Sequence, residues 1–162
     1  MGAGVFDKTE TFKNMIAVWP NSVKRIKNEV VSFDPEKNNV NLKDGTTVGY
    51  NSLVVAPGLK LDLEAVEGLS EPLGQNEVTS NYRYDLAPLT WELVKKMKGK
   101  EAIFTQPGML IKSAGAPQKA MYLSCDHWKK HGRLKNVSVS FCNAGPVFLS
   151  RNLCASTYGI CQ

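Results

Sequence analysis

No apolar run in these 162 residues approaches the roughly eighteen needed to cross a bilayer, so no membrane-spanning helix is predicted. Cysteine pairs at zinc or redox spacing are missing too. Cys125, Cys142, Cys154 and Cys161 stand apart, and without a secretory leader they are expected as free thiols in a reducing compartment. The start, "MGAGVF", has Phe6 where a myristoylation site needs Ser or Thr, and no Arg-rich amphipathic presequence follows it. Acidic residues are in the minority, 15 against 20 Lys and Arg. The resulting charge of +5 is spread along the chain. Its densest cluster, "WKKHGRLK" from Trp128, reads as a helix C-terminus whose cations offset the helix dipole. Interleaved aromatics and base-reading residues are lacking, which excludes a recognisable nucleic-acid module. Also absent is a "GxGxxG" loop after an early strand: "MGAG" stands where upstream sequence is expected.

What is present is an ordinary globular composition, 43% hydrophobic and 22% charged, which argues against a disordered chain. "NEVVSFD", "NNVNL" and "TTVGY", with an Asp-Gly turn at Asp44 and Gly45, predict a three-stranded antiparallel meander. "LVVAPG" is an unbroken apolar run ended by Pro57 and Gly58, the pattern of a strand buried on both faces of a parallel sheet. A Gly-, Pro- and Asn-rich coil runs from Leu59 to about Tyr84. "DLAPLTWELVKKMKGK" then predicts a helix capped by Asp85, with Pro88 in its first turn, Leu89, Leu93 and Met97 on one face, and Gly99 as its stop.

The last third restarts an α/β alternation. "EAIFTQP" is expected as a buried strand, "APQKAMYLSCDHWKKHG" as a helix with Pro117 in its first turn and Gly132 past its end, and "NVSVSFCNAGPVFLS" as a second strand with a glycine turn. Strand, crossover helix and strand make half of a nucleotide-binding unit. The closing "RNLCASTYGICQ" carries no period for a next helix. The fold class predicted is therefore α/β, with a meander followed by a βαβ unit.

Two motifs carry a resemblance. "YNSLVVAPG", with Tyr50, Leu53, Ala56 and Gly58, looks like a flavoprotein strand ending in Ala-x-Gly. "KSAGAPQKAMYLS", from Lys112 to Ser124, looks like the loop signature "KCAGAPQK…MYLS" except at one place. Together they resemble the mitochondrial-type sulfide:quinone oxidoreductases, in the two-dinucleotide-domain flavoprotein superfamily. The similarity runs from about Met1 to roughly Ser150. The first motif is shared widely among flavoproteins, whereas the second is specific.

The resemblance implies two Rossmann-like domains and bound FAD, at the mitochondrial inner membrane through a C-terminal attaching region absent here. It implies oxidation of hydrogen sulfide to a protein persulfide, passage of the sulfur to a small acceptor thiol, and delivery of electrons to ubiquinone. Residues 1–84 would finish the FAD domain, residues 85–150 would start the second domain, and residues 151–162 would form a divergent tail. Val30 matches a position whose backbone meets the FAD adenine, and Pro57 and Gly58 match a turn where backbone approaches the cofactor. Ser113 falls where the family has one of its two catalytic cysteines, with Lys112 and the positive end of a helix beside it. A hydroxyl there cannot store sulfane sulfur. None of the four cysteines matches the family's second one. The chain is thus expected to be inactive by itself: a truncated gene model or splice form, or a non-catalytic scaffold that forms a homo- or heterodimer with the full enzyme. An altered pyridine-nucleotide flavoprotein is disfavoured by the loop signature.

Two rival chemistries fall away. A serine hydrolase at Ser113 needs a base and an orienting acid, and the helix carrying His127 and His131 should lead away from it. Those histidines have i, i+4 spacing suited to a metal, without a further ligand nearby.

Overall fold

The computed structural model describes residues 1–108, 111–113 and 115–144. It divides into two compact units, Lys13–Lys60 on one side and Met1–Phe12 with the chain from Leu61 onward on the other.

In the smaller unit a short helix, α1 (Met15–Val18), is capped by Asn14, whose side chain accepts from the Ile16 amide at 2.9 Å. The predicted meander follows as β1 (Val30–Asp34), β2 (Asn39–Leu42) and β3 (Thr47–Gly49), paired antiparallel in that order. Its turn forms at the Asp-Gly pair: Asp44 Oδ1 accepts from the Thr46 amide at 2.9 Å, and the Gly45 amide donates to Leu42 O at 3.0 Å. Alternation on β2 separates two faces. Val40 and Leu42 are buried on one, while Asn41 on the other accepts from Thr47 Oγ1 and donates to Ser32 Oγ, both at 3.0 Å. Register places Ser32, Asn41 and Thr47 in one row, so a polar ladder crosses all three strands. An irregularity between Val30 and Ser32 gives β1 one extra residue.

The apolar run after the meander differs from expectation. Leu53 to Gly58 joins no ladder, and Val54 is 89% exposed. A strand buried on both faces needs neighbours at each edge and covering layers. Among the described residues of this unit, the meander supplies neither.

In the larger unit, α2 (Ala87–Lys96), β4 (Lys100–Gln106), α3 (Ala116–Lys130) and β5 (Val137–Asn143) follow in order. β4 and β5 pair in parallel from Lys100↔Val137 to Gln106↔Asn143, and α3 is the crossover, so the predicted βαβ unit is present. Its core joins Val94, Ala102, Met121, Cys125, Trp128, Val137 and Phe141. Two long side chains satisfy carbonyls in the last turn of α2, which have no partner within the helix. Trp128 Nε1 donates to Val94 O and an Arg133 guanidinium nitrogen to Lys95 O, each at 2.8 Å.

Three details differ from the sequence reading. The buried face of α2 is Ala87, Thr90 and Val94 rather than Leu89 and Leu93, with Met97 packed against the core. Thr90 can be buried because its hydroxyl lies 2.9 Å from that of Thr79. Leu86, not Asp85, stands at the helix cap, and Asp85 pairs instead with Arg83, which holds its carboxyl below the usual range. β4 is covered on one face only: Ala102 is buried while Ile103 is 60% exposed. The second half of "NVSVSFCNAGPVFLS", the tail, Cys154 and Cys161 lie outside the described residues.

Candidate functional site at the head of the crossover helix

Past the carboxyl end of β4, the chain returns through Ile111, Lys112 and Ser113 to α3. Ser113 is exposed and has φ +57°, the left-handed region that side chains with a Cβ enter at a cost of about 1–2 kcal/mol. Its carbonyl accepts from the Ala116 amide at 2.7 Å, a turn that leads into the helix. Gly115 takes the cap position without a side chain to offer, and Pro117 occupies the first turn. The positive end of α3 therefore lies a turn from Ser113, and Lys112 adds a formal charge beside it.

A third contributor reaches in from the coil before α2. Tyr82 OH donates to Lys112 O at 2.7 Å and approaches Ser113 O at 3.3 Å. Burial pushes this phenol up, so it stays protonated and donating through the neutral range. Sequence reasoning missed Tyr82 because nothing in "SNYRY" has a period or motif that points to a loop thirty residues on.

The other predicted site residues belong to the smaller unit. Val30 opens β1 opposite Leu42 and is 45% exposed. Pro57 and Gly58 lie in irregular chain, where Gly58 has φ +77° and open space where a Cβ would project. Glycine is required at that position by its backbone conformation rather than by a close neighbour.

His127 and His131 lie a turn apart at the end of α3. Their rings lie 4.1 Å apart between centroids, tilted by 36°, Trp91 meets His127 edge-on at 4.7 Å, and His131 Nδ1 lies 2.7 Å from the His127 carbonyl. Among the described residues, no three His, Cys, Asp or Glu side chains gather to hold a metal. Burial, with His131 and Arg133 nearby, pushes His127 below its ordinary value. A histidine depressed on folding binds fewer protons folded than unfolded, so stability present above about pH 6.5 is lost as pH falls through the folded value. Urea midpoints measured from pH 7.5 to 5 should decline over that window, and His127→Gln should flatten the decline. Cys125 is a buried thiol pushed up by desolvation, which makes it a poor nucleophile, and Cys142 is exposed on β5.

No protein-family model matches the chain. Full sequences are more informative. The mitochondrial sulfide:quinone oxidoreductase of Dictyostelium discoideum is 42% identical over 146 residues, covering 90% of this chain. The chain is a homologue of the mitochondrial sulfide:quinone oxidoreductases. The oxidoreductases of that name from Mus musculus and Schizosaccharomyces pombe are each 32% identical, over 91% and 92% of this chain. The chain spans about a third of the length of these relatives, 32% of the first and 33% of the other two. The solved sulfide:quinone oxidoreductase of Aquifex aeolicus aligns with 75% of this chain and 27% of its own, at 27% identity and a TM-score of 0.48. No helix among the described residues is long and apolar enough to cross a membrane.

Proposed function

We propose that this chain is a non-catalytic relative of sulfide:quinone oxidoreductase, keeping the frame of the sulfur-handling loop without its thiol. The observation that carries this reading is Ser113, set in a strained, exposed turn at the head of α3 inside a loop that otherwise matches the family signature. On this reading residues 1–84 correspond to the close of the FAD domain and residues 85–150 to the opening of the second domain. The Val30 backbone would then meet the FAD adenine, Pro57 and Gly58 would form a turn where backbone approaches the cofactor, and the setting would be the mitochondrial inner membrane.

The chemistry explains why one atom decides the matter. In sulfide oxidation through a cysteine disulfide, hydrosulfide attacks one sulfur, the disulfide bond breaks and a persulfide bond forms. The displaced sulfur leaves as a thiolate that carries the electron pair. FAD, when bound, supplies the two-electron acceptor between that thiolate and ubiquinone. A small thiol later takes the persulfide sulfur. Serine oxygen can form neither the disulfide nor the persulfide, so the Ser113 loop can position but not react.

Given FAD, sulfide and decylubiquinone, the purified chain should reduce quinone no faster than a protein-free control and should gain no cyanide-labile sulfur. Sustained turnover would overturn the proposal. A second reading, that the chain pairs with a copy of itself or with the full-length enzyme, is favoured by the exposed apolar run Leu53 to Val55. Elution as a monomer, alone and when mixed with the full-length oxidoreductase, would dismiss it.

A further inference from the structure

We infer that Tyr82 is a positioning residue for position 113: its hydroxyl locks the Lys112–Ser113 peptide in the orientation that presents residue 113 at the head of α3. Three features meet in this peptide. Its carbonyl, Lys112 O, is the stronger of the two Tyr82 acceptors at 2.7 Å. Carbonyl and amide of a planar trans peptide point in opposite directions, so holding Lys112 O fixes where the Ser113 amide points. Residue 113 itself sits at φ +57°, a conformation that a serine or cysteine leaves readily unless its surroundings hold it.

Other contacts to this turn do not do the same work. The Ala116 amide bonds to Ser113 O and closes the turn from the helix side, without fixing the preceding peptide. Gly115 contributes no side chain at the cap. Tyr82 belongs to the coil before α2, so its bond ties the loop to a separate part of the same unit. The phenol is half-buried and kept protonated, so its donation does not change across the neutral range. The relevance of this lock to sulfur chemistry rests on the function proposed above, whereas the lock itself does not.

The experiment reads both. Trypsin cuts after Lys112, at the bond whose carbonyl Tyr82 holds. Tyr82→Phe keeps the ring and removes the hydroxyl, and should raise cleavage after Lys112 about five-fold relative to cleavage after Lys60, as expected for losing one net hydrogen bond. In the Ser113→Cys background, iodoacetamide alkylation followed against pH should shift to a higher midpoint with Tyr82→Phe, because a released thiol drifts from the helix end. Cleavage after Lys112 no faster than in the wild type, or superimposable alkylation profiles, would overturn the lock. Should Tyr82→Phe raise cleavage at every lysine, Ser113→Gly decides, since glycine adopts the left-handed conformation without holding. Adding it should restore resistance after Lys112, and failure to do so sinks the inference. None of these readouts involves sulfide or flavin, so they can fail while the functional reading stands, and the reverse.

Discussion

Trp128→Ala is expected to cost about 3–5 kcal/mol, enough to unfold much of a unit whose whole stability is on the order of 5–15 kcal/mol. Trp128 is 1% exposed, packs near Phe104 with ring centroids 6.5 Å apart, and shares the core with Phe141 and Val94. Removing it leaves a cavity among large side chains and also strips Val94 O of its donor. Trp128→Phe separates the two losses, keeping most of the packing and forfeiting the indole N–H. Urea unfolding followed by circular dichroism should rank wild type above Trp128→Phe and that above Trp128→Ala. A loss below about 1 kcal/mol for the alanine variant would show that the core does not depend on this ring.

Ser113→Cys should convert an inert turn into the most reactive thiol among the described residues. A free cysteine titrates near 8.5, and positions at helix N-termini beside a lysine fall by a unit or more, each unit giving roughly ten times more thiolate near neutrality. Cys125 is buried and pushed the other way. Iodoacetamide at pH 7 should therefore label the thiol introduced by Ser113→Cys at least about ten-fold faster than Cys125. Incubation with polysulfide should leave more cyanide-labile sulfur on Ser113→Cys than on the wild type, whose exposed Cys142 sets the background. Steady quinone reduction should still be missing, because no cysteine matches the family's second thiol. Labelling no faster than at Cys142 would show that the loop does not activate a sulfur placed in it.

Much of this was legible in the sequence, for identifiable reasons. The meander was, because its alternation and the Asp-Gly turn are local signals, and the βαβ unit was, because Pro117 and Gly132 bracket a helix between two β-branched runs. "LVVAPG" was misleading: hydrophobicity reports a need for burial, and neighbours elsewhere in sequence decide whether the need is met. The face of α2 was misread because Thr79 makes a buried Thr90 tolerable, a contact no helical period contains. At the site, Ser113 was identified from the motif around it. Tyr82 was not, since a side chain that bonds to backbone leaves no trace in the sequence of the loop it holds.

The parallel ladder has a consequence for the order in which the chain assembles. Lys100 can meet Val137 only across the whole of α3, so every rung of β4 and β5 waits on closure of that long crossover. Helix α3 has local contacts and can form early, and the ladder then closes as the helix packs down. A lesion in α3 should therefore slow folding, while one confined to the β4–β5 rungs should chiefly hasten unfolding.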